Sequence, residues 1–160
     1  MNMLNFSGKE VLEMAIRIEE NGQRFYREAL KGTEDERLRK TLNFLVQEEE
    51  KHKRYFRSLL DKLPEEENPF DPYMEDALQY LKAMADAHVF TAELEGKELS
   101  EVIKEVEDVL NFAIAMEKDS LLFYYELARG INEKDRDVVE KVIEEEKSHL
   151  KKLLELKKEL

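Results

Sequence analysis

The chain has 160 residues, of which 40% are charged and 42% hydrophobic, and a formal net charge of −12 at pH 7. This balance is too apolar for a disordered chain, and acidity without a basic stripe argues against nucleic acid as a partner. The absence of cysteine excludes disulfides, thiol nucleophiles, thiolate metal sites and iron–sulfur centres. Apolar runs fall short of the roughly 18 residues of a membrane span and the N-terminus lacks a signal-peptide pattern, so we expect a cytoplasmic protein without a membrane partner.

Long helices are expected, because the whole chain holds only five glycines and three prolines. Ser7 and Glu10 form a capping-box pattern, and apolar residues then recur with helical periodicity from Val11 to Leu30. Gly32 can end this first helix.

The second helix is predicted to begin at Thr33, which has Glu36 three residues later, and to run to about Leu63 before Pro64 stops it. An Asp-Pro pair then predicts a shorter helix over about 73–87.

Two further helices are predicted in the last third of the chain. Ser100 opens a periodic segment that ends at Gly130, either unbroken or with a break near Glu107. Asn132 is predicted to cap a last helix that reaches almost to Leu160. Because no segment alternates with period two for long enough to form a strand, we predict an all-α protein.

The lengths of the connections predict the architecture. Two short loops imply two antiparallel helical hairpins, over about 7–62 and about 101–158. The long crossover at 63–100, which contains the short extra helix, lets the second and third long helices run parallel. We therefore expect a single domain, 1–160, built as an antiparallel four-helix bundle.

The two predicted hairpins repeat one another in sequence. Residues 11–19 align with 109–117 at an offset of 98, and residues 48–52 align with 145–149 at an offset of 97. Such a repeat predicts that the two halves pack with approximate two-fold symmetry.

The apolar stripe of every predicted bundle helix is interrupted at the same level by ionisable side chains. Those residues are Glu19 on the first helix, Glu49 and His52 on the second, Glu117 on the third, and Glu146 and His149 on the fourth. Burying an uncompensated carboxylate costs several kcal/mol, whereas two divalent cations would balance four of them and take both neutral imidazoles as ligands. We therefore predict a dinuclear metal site, with Gly22 and Ser120 one turn away leaving space for the metals and a small substrate.

The order Glu, Glu-x-x-His, crossover, Glu, Glu-x-x-His resembles the ferritin-like diiron-carboxylate proteins, most closely the rubrerythrin type, over nearly the whole chain outside the crossover. The resemblance implies two metal ions, iron with manganese as the alternative. The ligands that it implies are Glu19 with His52 for one ion, Glu117 with His149 for the other, and Glu49 and Glu146 as bridges.

The resemblance also extends to two tyrosines and fails at two points. Tyr26 and Tyr124 are similar to the tyrosines that the family places over its glutamates, although bundle-core aromatics are an equal alternative. The chain cannot form the rubredoxin-like Cys₄ module of rubrerythrins proper, which implies a separate electron-donor protein. Ser120 stands where the family usually has an extra glutamate, which puts its peroxidase-specific iron movement in doubt.

The leading hypothesis for function is a diiron oxidoreductase that reduces O₂ or H₂O₂ with electrons from outside. Two alternatives stay open: a ferroxidase or iron-handling bundle without an outside substrate, and a metal-free structural bundle. A homodimer is an option, because related bundles pair.

Several other polar residues are not expected to be metal ligands. The glutamates that flank the predicted ligands, Glu48, Glu50, Glu144 and Glu145, should be mostly solvated, with one or two accepting a hydrogen bond from a ligand histidine. His88 lacks the metal-ligand spacing and is predicted to be a surface or packing histidine.

Overall fold

The computed structural model describes residues 7–64, 79 and 103–160, and within these ranges the chain is helical without a β-strand. The long helices are α1 (Gly8–Lys31), α2 (Glu36–Asp61), α3 (Val106–Arg129) and α4 (Arg136–Lys158). The all-α prediction is confirmed. Gln79 is helical, and the rest of the predicted crossover helix lies outside the described residues.

The predicted start of α1 is confirmed in detail. The Ser7 hydroxyl accepts a hydrogen bond from the Glu10 backbone N–H at 3.3 Å, and the Glu10 carboxylate accepts from the Ser7 N–H at 3.0 Å. These two bonds satisfy backbone donors that have no partner inside the helix. The helix ends at Lys31 with Gly32 as its C-cap residue, at φ −94° and so outside the left-handed region.

The predicted start of α2 was wrong by two residues. Asp35, and not Thr33, caps this helix, because its carboxylate accepts a hydrogen bond from the Leu38 N–H at 2.9 Å. The Thr33 hydroxyl lies in the loop before the helix, where it accepts a hydrogen bond from the Asp35 N–H at 3.2 Å. The helix ends at Asp61, two residues before the predicted Leu63.

The second hairpin begins later than the unbroken prediction from Ser100. The α3 helix starts at Val106, where Glu105 is the N-cap residue and the Asp108 carboxylate accepts from its N–H at 3.0 Å. The alternative of a break near Glu107 is therefore the better one.

The start of α4 also differs from the prediction. A 3₁₀ turn, Glu133–Asp135, precedes α4, and Asn132 makes no side-chain capping bond. The carboxylate of Asp135 instead accepts a hydrogen bond from the Gly8 N–H at 3.0 Å. This contact fastens the start of α4 to the start of α1, so these two helices run parallel. Because each is antiparallel to its hairpin partner, α2 and α3 also run parallel, as predicted.

The apolar core of the bundle consists of two clusters rather than one. One cluster includes Val11–Ile18 of α1 with the second halves of α2 and α3 and the first half of α4, and the other includes Phe25–Ala29 with the opposite halves. On every helix the gap between the clusters falls at the level of the predicted ionisable residues. The sequence interruption is thus a continuous polar layer through the middle of the bundle.

Candidate metal centre

The polar layer contains all six predicted ligands, and the structure buries every one of them. Their exposed fractions range from 0% for Glu146 to 4% for His52. The residues concerned are Glu19 on α1, Glu49 and His52 on α2, Glu117 on α3, and Glu146 and His149 on α4. Each occupies a stripe position one or two turns from leucine, alanine or phenylalanine neighbours, so the helical repeat that buries the core buries these groups as well.

The donor atoms of these residues fall into two triplets. In each triplet, one atom from every residue lies within 4.8 Å of the others. The first triplet is Glu19, His52 and Glu146, and the second is Glu117, His149 and Glu49. The offsets of the sequence repeat convert one triplet into the other. Each triplet combines a glutamate and a histidine of one hairpin with a glutamate from the second helix of the other hairpin.

The two histidines turn the same ring nitrogen toward the carboxylates. His52 Nδ1 lies 3.8 Å from Glu19 Oε1. His149 Nδ1 lies 2.7 Å from Glu117 Oε1, without hydrogen-bond alignment, and 3.9 Å from Glu49 Oε1. The two rings are in edge-to-face contact, with their centroids 4.3 Å apart. The imidazoles therefore connect the two triplets at the centre of the bundle.

Burial perturbs the ionisation of this layer. Desolvation, followed by repulsion from Glu146, raises the pKa of Glu49 and of Glu117 well above the ordinary carboxyl value. Desolvation, followed by repulsion from His52, lowers the pKa of His149 to about 4. Without a cation, the environment thus favours uncharged carboxyls and a neutral imidazole.

The layer is also short of hydrogen bonds. In the part of the chain that the structure describes, the buried atoms without a hydrogen-bond partner belong to all six residues and to Tyr124, and they include both oxygens of Glu146 and both nitrogens of His149. Unsatisfied buried polar atoms are rare in native proteins, and each is costly unless a ligand or ion completes it. Carboxylate oxygens and neutral imidazoles are ligands that suit iron, manganese and similar divalent cations. The side chains present therefore fit a pair of metal ions.

The two tyrosines that the resemblance places near the ligands, Tyr26 and Tyr124, are fully buried beside this layer. The Tyr26 hydroxyl contacts Met116 Sδ at 3.8 Å, and the Tyr124 hydroxyl has no partner among the described side chains. Desolvation raises the pKa of both tyrosines, with the charge of Glu117 adding to the effect at Tyr26 and that of Glu146 at Tyr124. Both hydroxyls are thus protonated near the glutamates but do not bind them in the structure, and a role over the ligands stays a prediction.

Gly22 is packed against the ligand layer, where the sequence predicted a small residue. A Cβ at this position would lie 3.3 Å from Met116 Cε and 3.5 Å from Glu49 Oε2. A methyl group here would therefore be in ordinary van der Waals contact with the Glu49 carboxylate and slightly closer to the flexible end of Met116. Ser120, the other predicted small residue, is buried at 3% exposure.

Glu48 is the flanking glutamate that the structure buries. It was expected among the solvated flanking glutamates, but its side chain is only 7% exposed. Lys152 Nζ lies 3.1 Å from one of its oxygens and Lys51 Nζ 3.2 Å from the other. Burial raises the pKa of Glu48, but the bonds from Lys152 and Lys51 outweigh it and leave that pKa below its ordinary value. A carboxylate oxygen of Glu48 also lies within 4.8 Å of a nitrogen of each histidine.

The other flanking glutamates agree better with the expectation. Glu144 is 74% exposed, and Glu50 is paired with Lys53 at 2.9 Å. Glu145 is intermediate, with its Oε1 at 3.7 Å from His52 Nε2. Only the tertiary contact with Lys152 separates Glu48 from these residues, and no local sequence pattern announces it. His88 lies outside the described residues.

The four helices and their buried carboxylate–histidine layer define a ferritin-like bundle. The sequence model of the rubrerythrin family matches residues 10–157, and the chain belongs to this family. A proposed ferritin-like diiron-carboxylate protein from Thermotoga maritima, solved by crystallography, is 30% identical over 98% of this chain and 97% of that chain, with a TM-score of 0.50. A search of curated proteins found no match. None of the described helices is long and apolar enough to cross a membrane.

Proposed function

We propose that this protein binds two metal ions, with iron as the native metal, and reduces O₂ or H₂O₂ with electrons from a separate donor protein. The observation that carries this proposal is the group of four buried carboxylates and two buried imidazoles, each with at least one polar atom that has no partner among the described residues. Membership of the rubrerythrin family supports iron over other divalent cations. A bound pair of iron ions would supply two one-electron redox steps at adjacent positions.

The protein's own residues have three tasks in this proposal. The triplets Glu19–His52–Glu146 and Glu117–His149–Glu49 hold the two cations. The low pKa of His149 keeps its imidazole neutral at physiological pH, so that a nitrogen lone pair is free for a cation.

The second task is the exclusion of bulk water by the two apolar clusters, which cover the layer from both ends of the bundle. The third is hydrogen-bond donation. Because burial keeps Tyr124 protonated and its hydroxyl has no partner within the described ranges, this group can donate to an oxygen-containing ligand or carboxylate. These 160 residues contain no cysteine for an iron–sulfur or rubredoxin-like site, so the proposal assigns electron supply to a separate donor protein.

The test begins with metal binding. Anaerobic protein is titrated with Fe(II), and about two ions per chain are expected, with the Glu146→Gln variant binding less. Rapid mixing with O₂ or H₂O₂ should then oxidise the iron, which is monitored by its near-ultraviolet absorption. A reductant should afterwards restore the starting state for a second cycle. Metal that binds but never reacts would refute the oxidoreductase, whereas a protein that binds no metal would refute the centre itself.

A further inference from the structure

An acidic groove lies on the surface between α2 and α4, next to the proposed centre. Its volume is about 410 Å³, and it is lined by Tyr55 of α2 and by Asp137, Glu140, Lys141, Glu144 and Glu145 of α4. Four carboxylates and one lysine line this groove, and Lys147, outside the lining, lies 3.7 Å from Glu144, so the groove keeps a net negative charge. The groove is lined by side chains that the binding of the two metal ions does not use.

The groove reaches the centre through Glu145. This residue lines the groove, and its Oε1 lies 3.7 Å from Nε2 of His52. His52 is only 4% exposed, and Nδ1, on the edge of the ring away from Glu145, has no hydrogen-bond partner among the described residues. The buried imidazole of His52 therefore separates the groove wall from Glu19, whose Oε1 is 3.8 Å from that Nδ1.

The sequence repeat produces a different surface at the equivalent position of the other half. Under the offset of 97, Glu145 corresponds to Glu48, and Tyr55 corresponds to Lys152. On that side, the carboxylate is buried and two ammonium groups lie on it, from Lys152 and Lys51. One half of the bundle thus has carboxylates at its surface beside the centre, and the other half has lysines.

We propose that divalent cations reach the centre through the groove beside Glu145 and His52, and not past the lysines over Glu48. This inference rests on the proposed metal binding. A cleft lined by charges of one sign raises the local concentration of oppositely charged ions and their association rate. Glu145 is the last carboxylate on this path, because it contacts both the groove and the imidazole.

The repeat itself suggests the decisive variant. Tyr55→Lys gives the groove the lysine that the other half has at Lys152. Co²⁺ association is followed by quenching of tyrosine fluorescence in a stopped-flow instrument at low salt, and we expect a roughly three- to tenfold slower rate. The difference should shrink at high salt, because exposed charges are screened. Tyr125→Lys is the matched control, since Tyr125 is exposed on α3 and does not line the groove.

A second variant guards against a folding defect. Glu140→Gln with Glu144→Gln removes two groove charges, and it should slow Co²⁺ association in the same direction while equilibrium stoichiometry stays at the wild-type value. Glu28→Gln with Glu126→Gln, which removes two exposed charges elsewhere, should leave the rate unchanged. Unchanged rates in both groove variants, with metal still bound, would overturn the path but not the centre. A wild-type protein that binds no Co²⁺ at equilibrium would overturn both.

Discussion

Replacing Glu117 by glutamine should change stability in opposite directions with and without metal. The side chain is 3% exposed, and its pKa is raised by desolvation and then by Glu146. In the metal-free protein, the substitution removes a carboxyl group that is buried only by taking up a proton or by keeping a charge that the fold does not compensate. In the metal-bound protein, it removes a ligand from the triplet with Glu49 and His149.

The expected magnitudes follow from burial and mass action. Relieving one uncompensated buried charge should stabilise the metal-free protein by about 1–3 kcal/mol. Each occupied site stabilises the native state by about 2.7 kcal/mol at a free metal concentration 100 times its dissociation constant. Two sites therefore add about 5 kcal/mol, or a melting-temperature increase of about 10–20 °C for a chain of this size. Glu117→Gln should reduce that increase by about half.

The pH at which this experiment is done matters, because two groups titrate with opposite effects. The raised pKa of Glu117 means that the unfolded chain releases its proton first, so metal-free stability falls as pH rises above the ordinary value of 4.5. The pKa of His149, lowered to about 4, has the reverse effect and reduces stability as pH falls below 6.5. Melting curves at about pH 8 therefore contain the effect of the Glu117 carboxyl on stability but not the effect of protonating His149.

The assay is thermal unfolding by circular dichroism, with chelator and then with excess Mn²⁺ under otherwise equal conditions. Glu126→Gln is the control on the same helix, because its side chain is 74% exposed, and it should alter neither curve by more than about 0.5 kcal/mol. If metal-free Glu117→Gln melts below metal-free wild type, the carboxylate is compensated by the protein itself and the reasoning from buried charge is wrong.

Three further predictions concern the surroundings of the centre. Gly22→Ala should raise metal-free stability by up to about 1 kcal/mol and leave Mn²⁺ affinity within about threefold in calorimetric titrations. Its methyl group would meet the flexible end of Met116 at 3.3 Å and Glu49 Oε2 at an ordinary contact distance of 3.5 Å, so a larger loss of affinity would contradict this reasoning. Lys152→Gln should destabilise the protein by about 1 kcal/mol in urea at pH 7. This effect should begin to fall below the ordinary carboxyl value of 4.5 and vanish once the pH is below the lowered pKa of Glu48; an effect independent of pH would point to packing instead. Asp35→Ala should cost about 1 kcal/mol through loss of the α2 cap, and a neutral result in the same urea assay would return the cap to Thr33.

The residues at the ends of the helices show where sequence reasoning was sufficient. Ser7 and Glu10 are a local pair whose two hydrogen bonds need no other part of the chain, and the pattern identified them correctly. Thr33 and Asp35 are both acceptable caps, so the choice between them depends on the path of the loop. At the start of α4, Asp135 is used by a distant partner, Gly8, which no local pattern reveals.

The sequence alone determined the all-helical fold, the two-fold repeat and the level at which six ionisable residues interrupt the core. These features follow from helical periodicity, which places every third or fourth residue on one face and needs no knowledge of neighbouring helices. Only the tertiary structure grouped donors from both hairpins into each triplet, buried Glu48 under Lys152 and Lys51, and left Glu145 beside an acidic groove. Such choices depend on distances between helices that are remote in sequence, because the free energy of a buried carboxylate depends on the charges that other helices bring near it, such as Lys152 beside Glu48.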